Sequence, residues 1–168
     1  MSIAVVLPIF IPLFTAALGV ALLRHRRAQA VTGVIGAVAL LAAAIALLLL
    51  ADRGNVMTVQ MGSWAAPFGI TLAADRLGAI MVCLAGVMGL AVSIYALKDI
   101  DTNQRQAGFY PLLHVLLLGC CGAFLTGDLF NLYVWFEVLL ISSFALLSLG
   151  GGRDRLEGTV KYVALNMI

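Results

Sequence analysis

Residues 109–149 run apolar for about 40 positions with one interruption, at Thr126-Gly127-Asp128. That is enough for two membrane crossings, because ~30 Å of hydrocarbon at 1.5 Å per helical residue takes about 20 apolar residues. Asp128 is a good N-cap for the run that follows it, so the interruption reads as a tight turn between two spans. Composition points the same way. The chain is 63% hydrophobic and 11% charged, where a soluble domain carries roughly a quarter charged residues. A soluble domain of 168 residues has too little core to hide that much apolar surface, and lipid accepts it.

The rest of the chain divides on the same criterion. A first span covers residues 3–23 and stops at Arg24-His25-Arg26-Arg27. It has no basic segment before it and no A-x-A cleavage site, so it reads as a retained span and not a signal peptide. A second covers residues 31–50 and stops at Asp52-Arg53. Residues 54–74 differ in kind: they contain Gly62, Trp64, Pro67 and Gly69, and apolar residues alternate with polar ones. This pattern predicts an extended or hairpin loop at the interface, with Trp64 at headgroup level. A third span opens at Asp75-Arg76 and runs to about residue 97, and residues 98–106 form the most polar stretch. The fifth span ends at the loop of residues 150–155. A further apolar segment opens near Glu157 and is still running at Ile168; about a dozen residues are too few to cross, so the chain is expected to be a fragment of a longer protein. The expected fold is all-α integral membrane, with five transmembrane helices plus the start of a sixth. Residues 1–107 hold spans one to three with an extracytoplasmic loop at 51–75, and residues 108–168 hold spans four and five and the opening of the sixth.

Orientation follows from the basic residues. The loop after span one holds Arg24, Arg26 and Arg27; that after span three holds Lys98 and Arg105; that after span five holds Arg153 and Arg155. The opposite side has Arg53 and Arg76, each beside an Asp. The N-terminus is therefore expected outside and the basic loops in the cytoplasm. A net charge of +2, spread over short loops, gives no nucleic-acid surface.

Among residues that could carry chemistry, Glu137 stands out. Counted from Asp128 it lies nine residues in, roughly 13.5 Å deep at 1.5 Å per residue. A charge there costs at least ~2.5 kcal/mol on insertion scales, so the side chain should face protein or water. Phe130, Tyr133, Ile141, Phe144 and Ser148 share its helical face. Burial disfavours the charged form, and a carboxyl so placed can take and release a proton as a neighbouring cation approaches or withdraws. Its bland alternative is a hydrogen bond to a neighbouring helix. Lys161 follows Glu157 by one turn, a favourable i,i+4 pair; it is either a snorkelling lysine near the interface or a member of a proton relay. His114, about a turn and a half into span four, either passes protons or packs with a hydrogen bond.

Asp52-Arg53 and Asp75-Arg76 read as interfacial ion pairs at span ends. Gly86, Gly89, Gly119 and Gly122 read as close helix contacts. Cys83, Cys120 and Cys121 fall in apolar stretches with no His or carboxylate at ligand spacing and read as packing residues. The sequence carries no phosphate loop, nucleophile elbow, paired-carboxylate pattern or metal-ligand set, so neither a catalytic residue nor a cofactor is expected.

The run TGDLFNLYVWFEVLLISSFALL at residues 126–147 resembles the fifth-helix motif of the proton-translocating antiporter-like membrane subunits. Within that superfamily the chain most resembles the D subunit of Mrp-type multisubunit Na+/H+ antiporters. WAAPFGI at 64–70, ADRL at 74–77 and LEGTVKY at 156–162 agree, while spans one and two fit in hydropathy alone. The resemblance implies that residues 108–168 begin the antiporter core. It also implies that Glu137 is the fifth-helix glutamate that helps to steer protons, paired with a lysine on a later helix, and that Lys161 stands where a sixth-helix lysine often occurs. It implies a multi-pass subunit of the inner (plasma) membrane that acts with other subunits of a hetero-oligomeric complex on protons and Na+ or another monovalent cation. Two alternatives stay open: a membrane-arm subunit of an NADH:quinone oxidoreductase (complex I) or membrane-bound hydrogenase, and a structural scaffold that transports nothing.

Overall fold

A computed structural model describes residues 2–52, 54, 56–63, 69–100, 104 and 107–166. Among the described residues, six α-helices and one β-hairpin follow each other: α1 (Ser2–Ala21), α2 (Arg26–Ala51), strands β1 (Met57–Gln60) and β2 (Thr71–Ala74), α3 (Arg76–Asp99), α4 (Phe109–Leu125), α5 (Leu129–Ser148) and α6 (Arg153–Asn166). Four of them, α1, α2, α3 and α5, are long and apolar enough to cross a membrane. The fourth helix has 17 residues, about 26 Å at 1.5 Å per residue, at the lower limit for a crossing. The chain is thus a multi-pass helical membrane protein.

The apolar runs locate the helices but not their ends. The second begins at Arg26, five positions before the apolar run at Val31, and the last at Arg153, four positions before Glu157. Hydrogen bonding inside a helix continues into the interface, where charged side chains reach water, so the polar first turns belong to the helix as much as the apolar middle does.

Helices α1 to α4 form the packed part of the molecule, and their shared core includes Val5, Leu40, Leu47, Val82, Leu117, Cys121 and Leu125. Lipid offers no hydrophobic drive for helix to meet helix, so contact relies on small residues that let backbones come close. A Cβ on Gly89 would stand 2.6 Å from Leu117 Cδ1, and one on Gly119 2.9 Å from Leu139 Cγ. Gly122 receives the indole of Trp135, and Gly86 lies against the backbone of Leu41. All four glycines are close-contact positions. The three thiols are free, with Cys121 buried and Cys83 and Cys120 half-buried.

The segment between α2 and α3 is the expected hairpin, with Met57 opposite Ala74 and Gln60 opposite Thr71. Gly62, at φ 69°, supplies left-handed backbone beyond β1 that a side chain would resist. Period-two alternation turns Met57, Leu72 and Ala74 inward, all under a tenth exposed, and these side chains close one end of the bundle. Leu72 also bridges to Thr126, and the Gly127 amide donates to Thr71 O at 2.8 Å, so the hairpin ties the α4–α5 turn to the same end.

The charged pairs at that end rearrange the sequence expectation. Arg76 bonds Asp52 across the α2–α3 connection rather than its neighbour Asp75. Asp75 instead caps α3, accepting from the Gly78 amide at 2.7 Å. An unsatisfied amide at a helix start competes well for a carboxylate, which leaves the arginine to the next acid in space. Arg53, Arg105, Trp64 with its expected headgroup position, and the first five residues of WAAPFGI lie outside the described residues.

Candidate functional site

Asp128 accepts from the Phe130 amide at 2.8 Å and caps α5 as expected. Thr126 Oγ1 accepts from Asn131 Nδ2 at 2.8 Å, which fixes the first turn. From this anchored start, rotation of 100° per residue decides what each side chain faces. Trp135 and Leu139 press on Gly122 and Gly119 of α4, and Asn131 and Ser142 are the buried residues of α5. Glu137 stands two residues from both Trp135 and Leu139, about 200° round the helix. Its carboxylate therefore projects from the side of α5 away from α4.

On that side the carboxylate is half-buried. The Tyr133 hydroxyl, one turn back, lies within electrostatic and hydrogen-bonding reach of it. Phe144, seven residues on and on the same face, meets Tyr162 of α6 edge-to-face at 5.4 Å between ring centroids. The sixth helix thus covers the Glu137 face two turns, or about 10 Å, above the carboxylate. Around it, Phe130, Tyr133, Phe136 and Ile141 are each more than half exposed.

Lys161 is on α6, next to Tyr162. Its Nζ bonds Glu157 Oε1 at 2.7 Å, with both side chains well exposed, so the i,i+4 pair forms within the helix. The fold does not bring this lysine against Glu137. His114 is elsewhere again. It is fully buried, and its Nε2 stands 2.9 Å from Gly33 O of α2. As a carbonyl can only accept, Nε2 carries the hydrogen, and in the neutral ring Nδ1 holds the lone pair. Glu137 and His114 therefore occupy two different seams, one outside the α4–α5 pair and one inside the α1–α4 bundle.

Sequence reasoning missed the surroundings of His114. Gln29 of α2 and Ser93 of α3 are also buried in the bundle, 1% and 0% exposed, together with Tyr110. Gln29 fell outside the second apolar run, and Ser93 is one small polar residue in a long apolar one. A signal was available: a polar side chain one turn from a glycine on each helix (Gln29 and Gly33, Ser93 and Gly89) marks the face where helices meet.

No model of a known protein family matches the chain. Individual proteins do. The chain is 39% identical over 163 residues to the D subunit of an Na+/H+ antiporter of Alkalihalophilus pseudofirmus, covering 97% of this chain and 33% of that protein. It is 35% identical over 165 residues to the D subunit of an Na+/H+ antiporter of Bacillus subtilis, covering 98% and 33%. It is 38% identical over 170 residues to the D subunit of a probable K+/H+ antiporter of Rhizobium meliloti, covering 96% and 31%. Among solved structures, the Mrp complex from Dietzia superposes with a TM-score of 0.90 at 27% identity, over 99% of this chain and 32% of that one. An archaeal membrane-bound sulfane sulfur reductase superposes with a TM-score of 0.91 at 25% identity, over 98% and 34%. The chain spans about a third of the length of the curated relatives it matches.

Proposed function

The chain is a homologue of the D subunits of Mrp-type cation/proton antiporters along nearly all of its length, and from that premise we propose that it takes part in proton translocation within a multisubunit monovalent cation/proton antiporter of the plasma membrane. Glu137 is the proton-carrying carboxylate. The observation that carries this reading is its position: an acid inside a span, on the side of α5 turned away from α4, with Tyr133 beside it. Intramembrane acids are retained for function because they are expensive to keep. Coupling is electrostatic. A cation moving toward Glu137 favours its charged form, and a cation moving away favours the neutral, protonated one. Partner subunits and the rest of the antiporter core supply that cation, Na+ or another monovalent ion. Lys161 adjusts the field from α6 when its pairing with Glu157 changes, and His114 serves as a relay near the basic end. Residues 108–168 open the core, and residues 1–107 brace it. The N-terminus lies outside, and the basic loops face the cytoplasm.

Cation-dependent collapse of a pH gradient in inverted vesicles tests the reading, with the chain in its assembled complex. Glu137→Gln is expected to abolish exchange while assembly stays normal. Unchanged exchange would leave a membrane scaffold. A second reading, a proton-pumping subunit of a redox complex, is favoured by the likeness to the sulfane sulfur reductase. It predicts proton movement driven by an electron donor instead of by a cation gradient.

A further inference from the structure

Among the described residues, four buried polar atoms have no hydrogen-bond partner; one is Trp135 Nε1 on α5, and the other three lie on neighbouring helices of the bundle: Gln29 Oε1 on α2, Ser93 Oγ on α3 and His114 Nδ1 on α4. Their positions belong to one seam. On α4, Tyr110 precedes His114 by one turn and Leu117 follows it by almost one. The Tyr110 hydroxyl stands 3.5 Å from Ser93 O, and Leu117 fills the space beside Gly89. His114 therefore sits level with the turn of α3 between Gly89 and Ser93. Side chains lean toward the N-terminus of their helix, so Ser93 Oγ leans from its own carbonyl toward Gly89, and thus toward the level of His114 between them. On α2, His114 meets Gly33, and Gln29 lies one turn before it, with its amide Nε2 3.5 Å from Gly19 O of α1.

The hydrogen count identifies the ligand. Gln29 Oε1 only accepts, and Nδ1, with Nε2 already carrying the hydrogen, also only accepts. Ser93 has one hydrogen to give and cannot supply both. Inside a bilayer no solvent layer is at hand to make up the difference. A water molecule donates twice and accepts twice, and buried waters take two to four polar partners of this kind. We propose that the seam between α2, α3 and α4 is a water-binding site: water donates to His114 Nδ1 and, one turn nearer the membrane surface, to Gln29 Oε1, and accepts from Ser93 Oγ. Gln29 follows Arg26 and Arg27 at the start of α2, so the site lies toward the basic end of the bundle. As a place for protons to enter it rests on the proposed function; as a hydration site it does not.

Water-edited solid-state NMR on the isotope-labelled protein in lipid bilayers reads this without any transport assay, so a dry seam and an inert Glu137 are distinguished. The His114 ring signals, identified by their loss in His114→Asn, are expected to receive magnetisation from water several-fold faster than the side chain of Leu40 in the apolar core. Ser93→Ala is expected to slow that transfer at least two-fold while leaving the other signals in place. Transfer to His114 as slow as to Leu40, or unchanged transfer in Ser93→Ala, overturns the proposal. If a variant does not assemble, the wild-type comparison of His114 with Leu40 decides.

Discussion

The indole of Trp135 lies where a side chain on Gly122 would have to go, so the α4–α5 contact depends on one missing methyl group. Gly122→Val should destabilise the bundle by about 1–3 kcal/mol, the usual cost of overpacking. Gly158, on α6, has nothing within 4 Å of its would-be Cβ. Gly158→Ala should be neutral or stabilising by up to about 1 kcal/mol, since alanine loses less backbone entropy in a helix. Unfolding curves in a graded detergent mixture measure both. At this scale the sequence was legible where a residue acts on its own neighbourhood. Asp128 reads as a cap because its acceptor and the amide of Phe130 are two residues apart. The partner of Arg76 was not legible, because choosing Asp52 over Asp75 depends on how α2 and α3 come together. For the same reason His114 could be noticed but Gln29 and Ser93 could not be assigned to it.

Among the helices, α5 and α6 differ from the rest. No residue of α6 is buried and α5 has two, whereas ten residues of α4 are buried. Amide exchange in bilayers should therefore be fastest in α6 among the helices. Its protection is expected to fall roughly tenfold or more below that of α4, since local opening costs little where few contacts must break. Equal protection would mean that α6 is held by contacts outside this chain. The long apolar helices were readable because bilayer thickness sets the length of an apolar run, and the hairpin because glycine, proline and alternation punctuate it. The ends of α2 and α6 were not, since interfacial residues of either kind can continue a helix. The faces of α5 were only half readable: periodicity grouped Phe130, Tyr133 and Phe144 with Glu137, but not which group meets α4.

Taken whole, the molecule has two unlike ends. The end at which α1, α3 and α5 finish carries Arg24, Arg26, Arg27, Lys98, Arg153 and Arg155, in the turns or in the adjoining helix ends, while the hairpin end holds Arg76 bonded to Asp52. The proposed orientation places the first set in the cytoplasm. With Cys83, Cys120 and Cys121 replaced, a cysteine at Gly151 should react with an impermeant maleimide only in inverted vesicles, and one at Gly54 only in intact cells. The reverse pattern would invert the orientation and leave the bundle unchanged. The unlike charge of the two ends was legible because those residues stand at the ends of the apolar runs, whereas the separation of the Glu137 and His114 seams depends on which helices pack.

The bridge between Leu72 and Thr126 also sets an order of events during synthesis. The hairpin leaves the ribosome about fifty residues before the segment that it finally pairs with. At 5–20 residues per second that delay is roughly 3–10 s. For those seconds β2 is an unpaired edge, open to any other strand, until the turn before α5 arrives to cover it. The hairpin end of the bundle is thus finished late, by a segment made two helices after its own, and a slowed ribosome between them lengthens the exposure in direct proportion.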